Sequence, residues 1–373
     1  MTEARPPEPM PSAAQPLFIL AMDHRDSFAK TLFGISGTPT ADQLARMRDA
    51  KAMIFAAARR LPASVAGPGR PGILVDEQLG ADIAREAKAD GFVLAMPVEV
   101  SGAPRLTFEY GDAFAEHIES FDPDWIKVLV QFNPADPKEL RDAQTATLRQ
   151  LSDWAAGQNR RWLLELLVPP TRQQLAADED QTLYDTRTRP GLTAQVVAEL
   201  TGAGVRPVIW KLEGYETAEG AQRVLAAIKA SADQDSACIV LGRNAPTRQV
   251  DHWLDVAAPL PGYVGFAVGR SIWDEALSDY LGGRLDRDAA ERRIASNYEH
   301  FIKRYLAADT ASAAATAGES RTEPFTYTHP RLTPDREERI RHAIAGADPR
   351  GTMLPAWMAQ SLLAEVDALR SGQ

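Results

Sequence analysis

Three charged side chains sit inside runs that are otherwise apolar. Lys127 lies in WIKVLV (125–130), Glu165 in WLLELLV (162–168) and Lys211 in VIWKL (208–212). An unpaired charge in such a setting is costly, so each needs a partner or a task. Two lysines and one carboxylate at a single site suit carbinolamine and Schiff-base chemistry. Desolvation and a neighbouring ammonium both favour a neutral, nucleophilic amine. A carboxylate can carry protons to and from the carbinolamine and the substrate hydroxyl. Lys211, the last basic residue before Glu213-Gly214, is the candidate nucleophile, with Lys127 as second cation and Glu165 as proton carrier. A purely structural layer of ion pairs is the alternative use of the same residues. Asp23 offers a second acid–base group or a helix cap.

Two further motifs offer an anion cradle. Leu-Gly-Arg (241–243) and Val-Gly-Arg-Ser (268–271) place Gly242 beside Arg243 and Gly269 beside Arg270. Glycine lets backbone N–H groups approach an anion, and arginine adds a bidentate fork. Metal chemistry finds little support: the six histidines are scattered and expected at the surface, and Asp76-Glu77 reads as a helix start. The single cysteine, Cys238, excludes an intrachain disulfide and a cysteine-rich zinc site.

These residues need a scaffold that points them at one place. Eight short apolar runs recur between residues 17 and 305, at 18–23, 72–76, 91–97, 125–130, 162–168, 208–212, 238–242 and 263–269. They are continuously apolar rather than alternating, as parallel strands covered on both faces are. Helical patterns fall between them, over 40–60, 112–119, 137–156, 190–202, 217–230, 247–258 and 286–306. The pattern predicts an α/β fold, a TIM (β/α)8 barrel over 17–307, whose active site lies at the C-terminal strand ends. The rival open sheet lacks its Gly-x-Gly-x-x-Gly signature. Residues 1–16 read as a disordered lead, 308–324 as an Ala/Ser/Thr-rich linker and 325–373 as a C-terminal helical hairpin. The net charge of −10 argues against nucleic acid or an anionic membrane as partner. No apolar stretch reaches the ~18 residues of a membrane span, and the N-terminus has no basic or apolar signal region. The expectation is a cytoplasmic protein with a small phosphorylated substrate, with a homo-oligomer left open.

At these residues the chain resembles the 2-deoxy-5-keto-gluconate 6-phosphate aldolase family of inositol catabolism, including its kinase-fused form. It is similar more distantly to the class I tagatose 1,6-bisphosphate aldolases. The segments that carry the resemblance are LAMDHRDSF (20–28), LVDEQLGADIA (74–84), FEYG (108–111), DPDWIKVLVQFNP (122–134), LLELLVPP (163–170), WKLEG (210–214), IVLGR (239–243) and GFAVGR (265–270). Together they span the expected barrel. The resemblance implies a Schiff-base lysine at Lys211, a neighbouring lysine at Lys127, a proton-transfer glutamate at Glu165 and an aspartate at Asp23. It implies phosphate held by the Gly242-Arg243 and Gly269-Arg270 loops, with Arg25, Glu99 and Gln131 also on the substrate. It implies no metal or organic cofactor, and cleavage to dihydroxyacetone phosphate and malonate semialdehyde. Two positions depart from the family pattern. Val100 replaces a lysine and Gln131 an arginine, so positive charge is lost near the expected mouth. A sugar-phosphate isomerase or epimerase and a non-catalytic phosphosugar-binding barrel are the alternative readings.

Overall fold

The computed structural model describes residues 9–231 and 236–315. Eight parallel strands close into a barrel in chain order. The first half runs β1 (Leu17–Ala21), α1 (Asp26–Phe33), α2 (Ala41–Arg59), β2 (Arg70–Leu74), α3 (Glu77–Ala89), β3 (Val93–Pro97), α4 (Phe114–Phe121), β4 (Trp125–Gln131) and α5 (Lys138–Gly157). The second half runs β5 (Trp162–Leu167), α6 (Arg172–Ala177), the one-turn α7 (Gln181–Leu183), α8 (Arg189–Gly202), β6 (Ile209–Glu213), α9 (Ala218–Ser231), β7 (Ala237–Leu241), α10 (Thr247–Ala257), β8 (Tyr263–Val268), α11 (Arg270–Leu281) and α12 (Arg287–Ala315). This is the predicted TIM barrel, and all eight apolar runs are strands.

Each strand separates its two faces. One face, with Phe18, Leu20, Ile126, Val128, Leu164, Trp210 and Val240, packs into a continuous core with the helices. The other, with Leu17, Ile19, Val93, Trp125, Leu163, Ile209 and Ile239, fills the lumen as a separate apolar plug. Because strand side chains alternate, residues two and four beyond the plug also face the lumen. That rule puts Lys127, Glu165 and Lys211 on the inner wall. The barrel closes where β8 meets β1 in the register Leu17↔Gly265. Gly265 has φ +131, and a Cβ there would lie 1.9 Å from the Leu17 carbonyl oxygen, so only glycine fits.

Some elements differ from expectation. Helix α3, marked in the sequence only by its Asp76-Glu77 start, and α11, which the pattern did not mark, each start within three residues of a strand end. Asp76 caps α3, accepting from the Leu79 N–H at 2.9 Å. Helix α12 continues to Ala315, through the first part of the expected linker. Alanine is the strongest helix former, and low complexity alone does not interrupt a helix. In the expected lead, Ser12 and Gln15 bond each other's backbone, and Arg70 donates to the Pro9 carbonyl at 2.8 Å. Residues 1–8, the rest of the linker and the hairpin at 325–373 lie outside the described residues. Among the described residues, no helix is long and apolar enough to cross a membrane.

Candidate active site

Strand register brings the embedded charges together. Glu165 pairs directly with Lys211 across β5 and β6, and Leu129 is its partner on β4. Lys127, one inward position below Leu129, reaches the same point. Its Nζ lies 2.8 Å from Asp23 Oδ2, 2.6 Å from Glu99 Oε1 and 2.9 Å from Glu165 Oε2. Lys211 Nζ lies 2.9 Å from the same Glu165 Oε2. One carboxylate oxygen therefore bridges the two ammonium groups. All five side chains are buried at the upper end of the lumen plug.

The two lysines have different surroundings. Burial by itself would push the Lys127 amine down. Asp23, Glu165 and Glu99 overcome it and hold Lys127 well above the usual lysine range. Lys127 is thus a fixed positive charge. Burial would raise both acids, but Lys127 and Lys211 hold Asp23 and Glu165 below the usual carboxylate range. His24, next to Asp23, is pushed down to about 3, first by burial and then by the Arg270 guanidinium. It is neutral at pH 7. Its Nδ1 is buried without a hydrogen-bond partner, and its ring stands edge-on to Trp273 at 5.5 Å. The expectation of surface histidines fails at His24, whose position beside a strand-end aspartate was the available signal.

The other expected substrate residues divide into two groups. Arg270 opens α11 directly behind Gly269. A Cβ on Gly269 would lie 2.5 Å from the Ala21 carbonyl oxygen, so glycine lets the β8 loop close against β1. Arg270 makes no ion pair with a described residue, and its Nε is buried without a partner. Gln131 ends β4 on the inner face and is partly exposed.

By contrast, Arg25, Glu99 and Arg243 are already engaged within the protein. Arg25 donates to the Glu99 carbonyl at 2.8 Å and pairs with Glu109. Glu99 serves Lys127. Arg243 bridges Asp185 at 2.8 Å and Glu213 at 3.3 Å, and Asp185 also accepts from Arg189 at 2.8 Å. Gly242 packs under Val268, where a Cβ would lie 2.8 Å from the valine side chain. Asp185 belongs to a single π-helical turn, Tyr184–Thr188, without apolar periodicity, so the sequence carries no signal for this network. Another buried pair, Lys51 with Asp76, also went unseen, because Lys51 looks like an ordinary polar position of α2. Among the described residues, no group of His, Cys, Asp and Glu is arranged to hold a metal ion.

Residues 9–309 match the family model described as an uncharacterized protein conserved in bacteria, DUF2090. The chain belongs to this family. No curated protein matches this DUF2090 chain. Among solved structures it is similar to Cgl0159 from Corynebacterium glutamicum, at 20% identity over 76% of this chain and 86% of that one, with a TM-score of 0.47. It is also similar to a Schiff-base-forming fructose-1,6-bisphosphate aldolase, at 12% identity over 76% and 94%, with a TM-score of 0.43. An archaeal fructose-1,6-bisphosphate aldolase, solved with its catalytic lysine bound to the carbinolamine intermediate, gives 12% identity over 77% and 95% and a TM-score of 0.44. What the DUF2090 site does has to be read from its own side chains.

Proposed function

We propose that the chain is a class I aldolase, a lyase that forms a Schiff base through Lys211 and splits a phosphorylated ketose or keto-acid. One observation carries this reading: Lys211 and Lys127 share Glu165 Oε2, yet Lys127 is surrounded by three carboxylates and Lys211 touches one. Lys211 is the lysine with a single acidic partner, and Glu165 is the carboxylate placed to exchange protons with it.

The neutral Lys211 amine then attacks the substrate ketone. Glu165 returns a proton to the carbinolamine hydroxyl, which leaves as water, and an iminium remains. A carboxylate, Glu165 or Asp23, removes the proton from the hydroxyl on the carbon β to the iminium, C4 of a 2-ketose. The C3–C4 bond breaks, its electron pair enters the iminium as an enamine, and the aldehyde departs. Protonation of the enamine and hydrolysis release the phosphorylated ketone and restore Lys211. The Lys127 ammonium stays charged throughout and stabilises the carboxylates and the developing oxyanion. Arg270 and the α11 N-terminus behind Gly269 hold the phosphate. The resemblance supports dihydroxyacetone phosphate as the ketone product, while Val100 and Gln131 depart from the family pattern at the other end of the substrate.

Product analysis tests the reaction class. Incubation with a panel of phosphorylated ketoses and keto-acids is expected to release dihydroxyacetone phosphate together with a new aldehyde. Conversion to an isomer of unchanged carbon number would instead make Glu165 the base of an isomerase, with Lys211 only a cation.

A further inference from the structure

The mouth of the barrel is electrostatically two-sided. On the β8–β1 side stand Arg270, without an ion pair among the described residues, and neutral His24 with an unpartnered buried Nδ1. On the β4–β7 side, the inner wall above Glu165 and Lys211 carries Gln131, Leu167 and Glu213. Gln131 pairs in register with Leu167, and Glu213 stands two residues beyond Lys211 on the same face.

Charge on that second side is already balanced. Arg243 is tied to Asp185 and Glu213, and Arg189 to Asp185. Two guanidinium groups face two carboxylates, and a second substrate anion would have to compete with buried acids for Arg243. Gln131 is different. Its backbone carbonyl accepts from Gln144 at 2.9 Å, but no described group bonds its carboxamide. A carboxamide both donates and accepts, which suits a hydroxyl and gives a carboxylate or phosphate no compensating charge.

We infer that the aldehyde half of the substrate binds on the β4–β7 side and is a hydroxylated, uncharged aldehyde, with Gln131 reading a hydroxyl. The inference rests on the Schiff-base reading. It narrows the substrate to a phosphorylated ketose with one anionic end, as opposed to a bisphosphate or a keto-acid. The reaction balances as before: the C4 hydroxyl proton goes to the carboxylate, the bonding pair to the iminium, and the neutral aldehyde leaves.

The test runs the full chain in the synthetic direction. Dihydroxyacetone phosphate is the fixed donor, and the acceptors are glyceraldehyde, propanal, glyceraldehyde 3-phosphate and malonate semialdehyde. Wild type is expected to favour glyceraldehyde over both anionic aldehydes by tenfold or more in kcat/KM. Gln131→Leu should erase the preference for glyceraldehyde over propanal, and Gln131→Arg should move the neutral-to-anionic ratio at least tenfold toward the anions. Equal or better use of either anionic aldehyde by wild type overturns the inference. So does an unchanged ratio in both variants. Borohydride reduction with dihydroxyacetone phosphate alone separates the two layers. If that donor is trapped and the acceptor order is wrong, only the inference falls; if no adduct forms, the aldolase reading falls with it.

Discussion

Lys127 and Lys211 are buried to nearly the same degree, at 2% and 4% side-chain exposure, so burial cannot assign their roles. Partners do. Three carboxylates keep Lys127 charged, whereas Lys211 shares one oxygen of Glu165. His24 supplies a residue-scale test of this electrostatic picture. The unfolded chain binds a proton on this imidazole near 6.5, but the folded protein binds it only near 3. Between those values unfolding takes up a proton, so stability falls as pH falls. The effect is at most ~1.4 kcal/mol per pH unit, and less because the ring is 23% exposed. The melting temperature of wild type should therefore drop between pH 6.5 and 4.5 more steeply than that of His24→Asn. Parallel profiles would mean that His24 is protonated in the folded protein. Asp23, whose carboxyl is also held low, adds loss of the same sign in stronger acid.

At the scale of elements, Arg25 organises the segment after β3. Val100 N–H donates to the Thr107 carbonyl, and Glu109 N–H to the Val98 carbonyl, both at 2.9 Å, making a small hairpin. Arg25 fastens it from the β1 loop through the Glu99 carbonyl and the Glu109 carboxylate. The Glu99 side chain then meets Lys127. Arg25 is thus a positioning residue that acts on Lys127 through Glu99. Removing one member of a buried pair costs about 3–5 kcal/mol when the other charge is left behind; Glu109 is partly exposed, so the cost here sits toward or below the lower end. Arg25→Ala is expected to speed amide hydrogen exchange at Val100 and Glu109, leave the core strands protected, and lower kcat more than it raises KM. Unchanged exchange at those two amides would separate Arg25 from the hairpin.

For the whole molecule, the barrel was legible because each strand is a continuous apolar run, which only a sheet covered on both faces requires. Lys127, Glu165 and Lys211 were legible for the same reason: a charge inside such a run stands out. Their companion Asp23 was legible at the end of the first strand, but the pairings around Glu99, Arg25 and Arg243 were not. Nothing in a linear sequence shows that Arg25 and Glu99 turn back toward their own scaffold. The tie of Arg243 to Asp185 was hidden because Asp185 lies 58 positions away in a single π-helical turn. Helix α12 overran the expected linker because alanine-rich composition suits a helix as well as a tether.

Lys211, and not Lys127, is the residue proposed to form the covalent intermediate. Full-length protein is incubated with dihydroxyacetone phosphate, reduced with sodium borohydride, digested and mapped by mass. A Schiff base at Lys211 gives one adduct, on that residue, lost in Lys211→Met and retained, at a reduced rate, in Lys127→Met. An adduct on Lys127, or no adduct in wild type while cleavage activity persists, would contradict it.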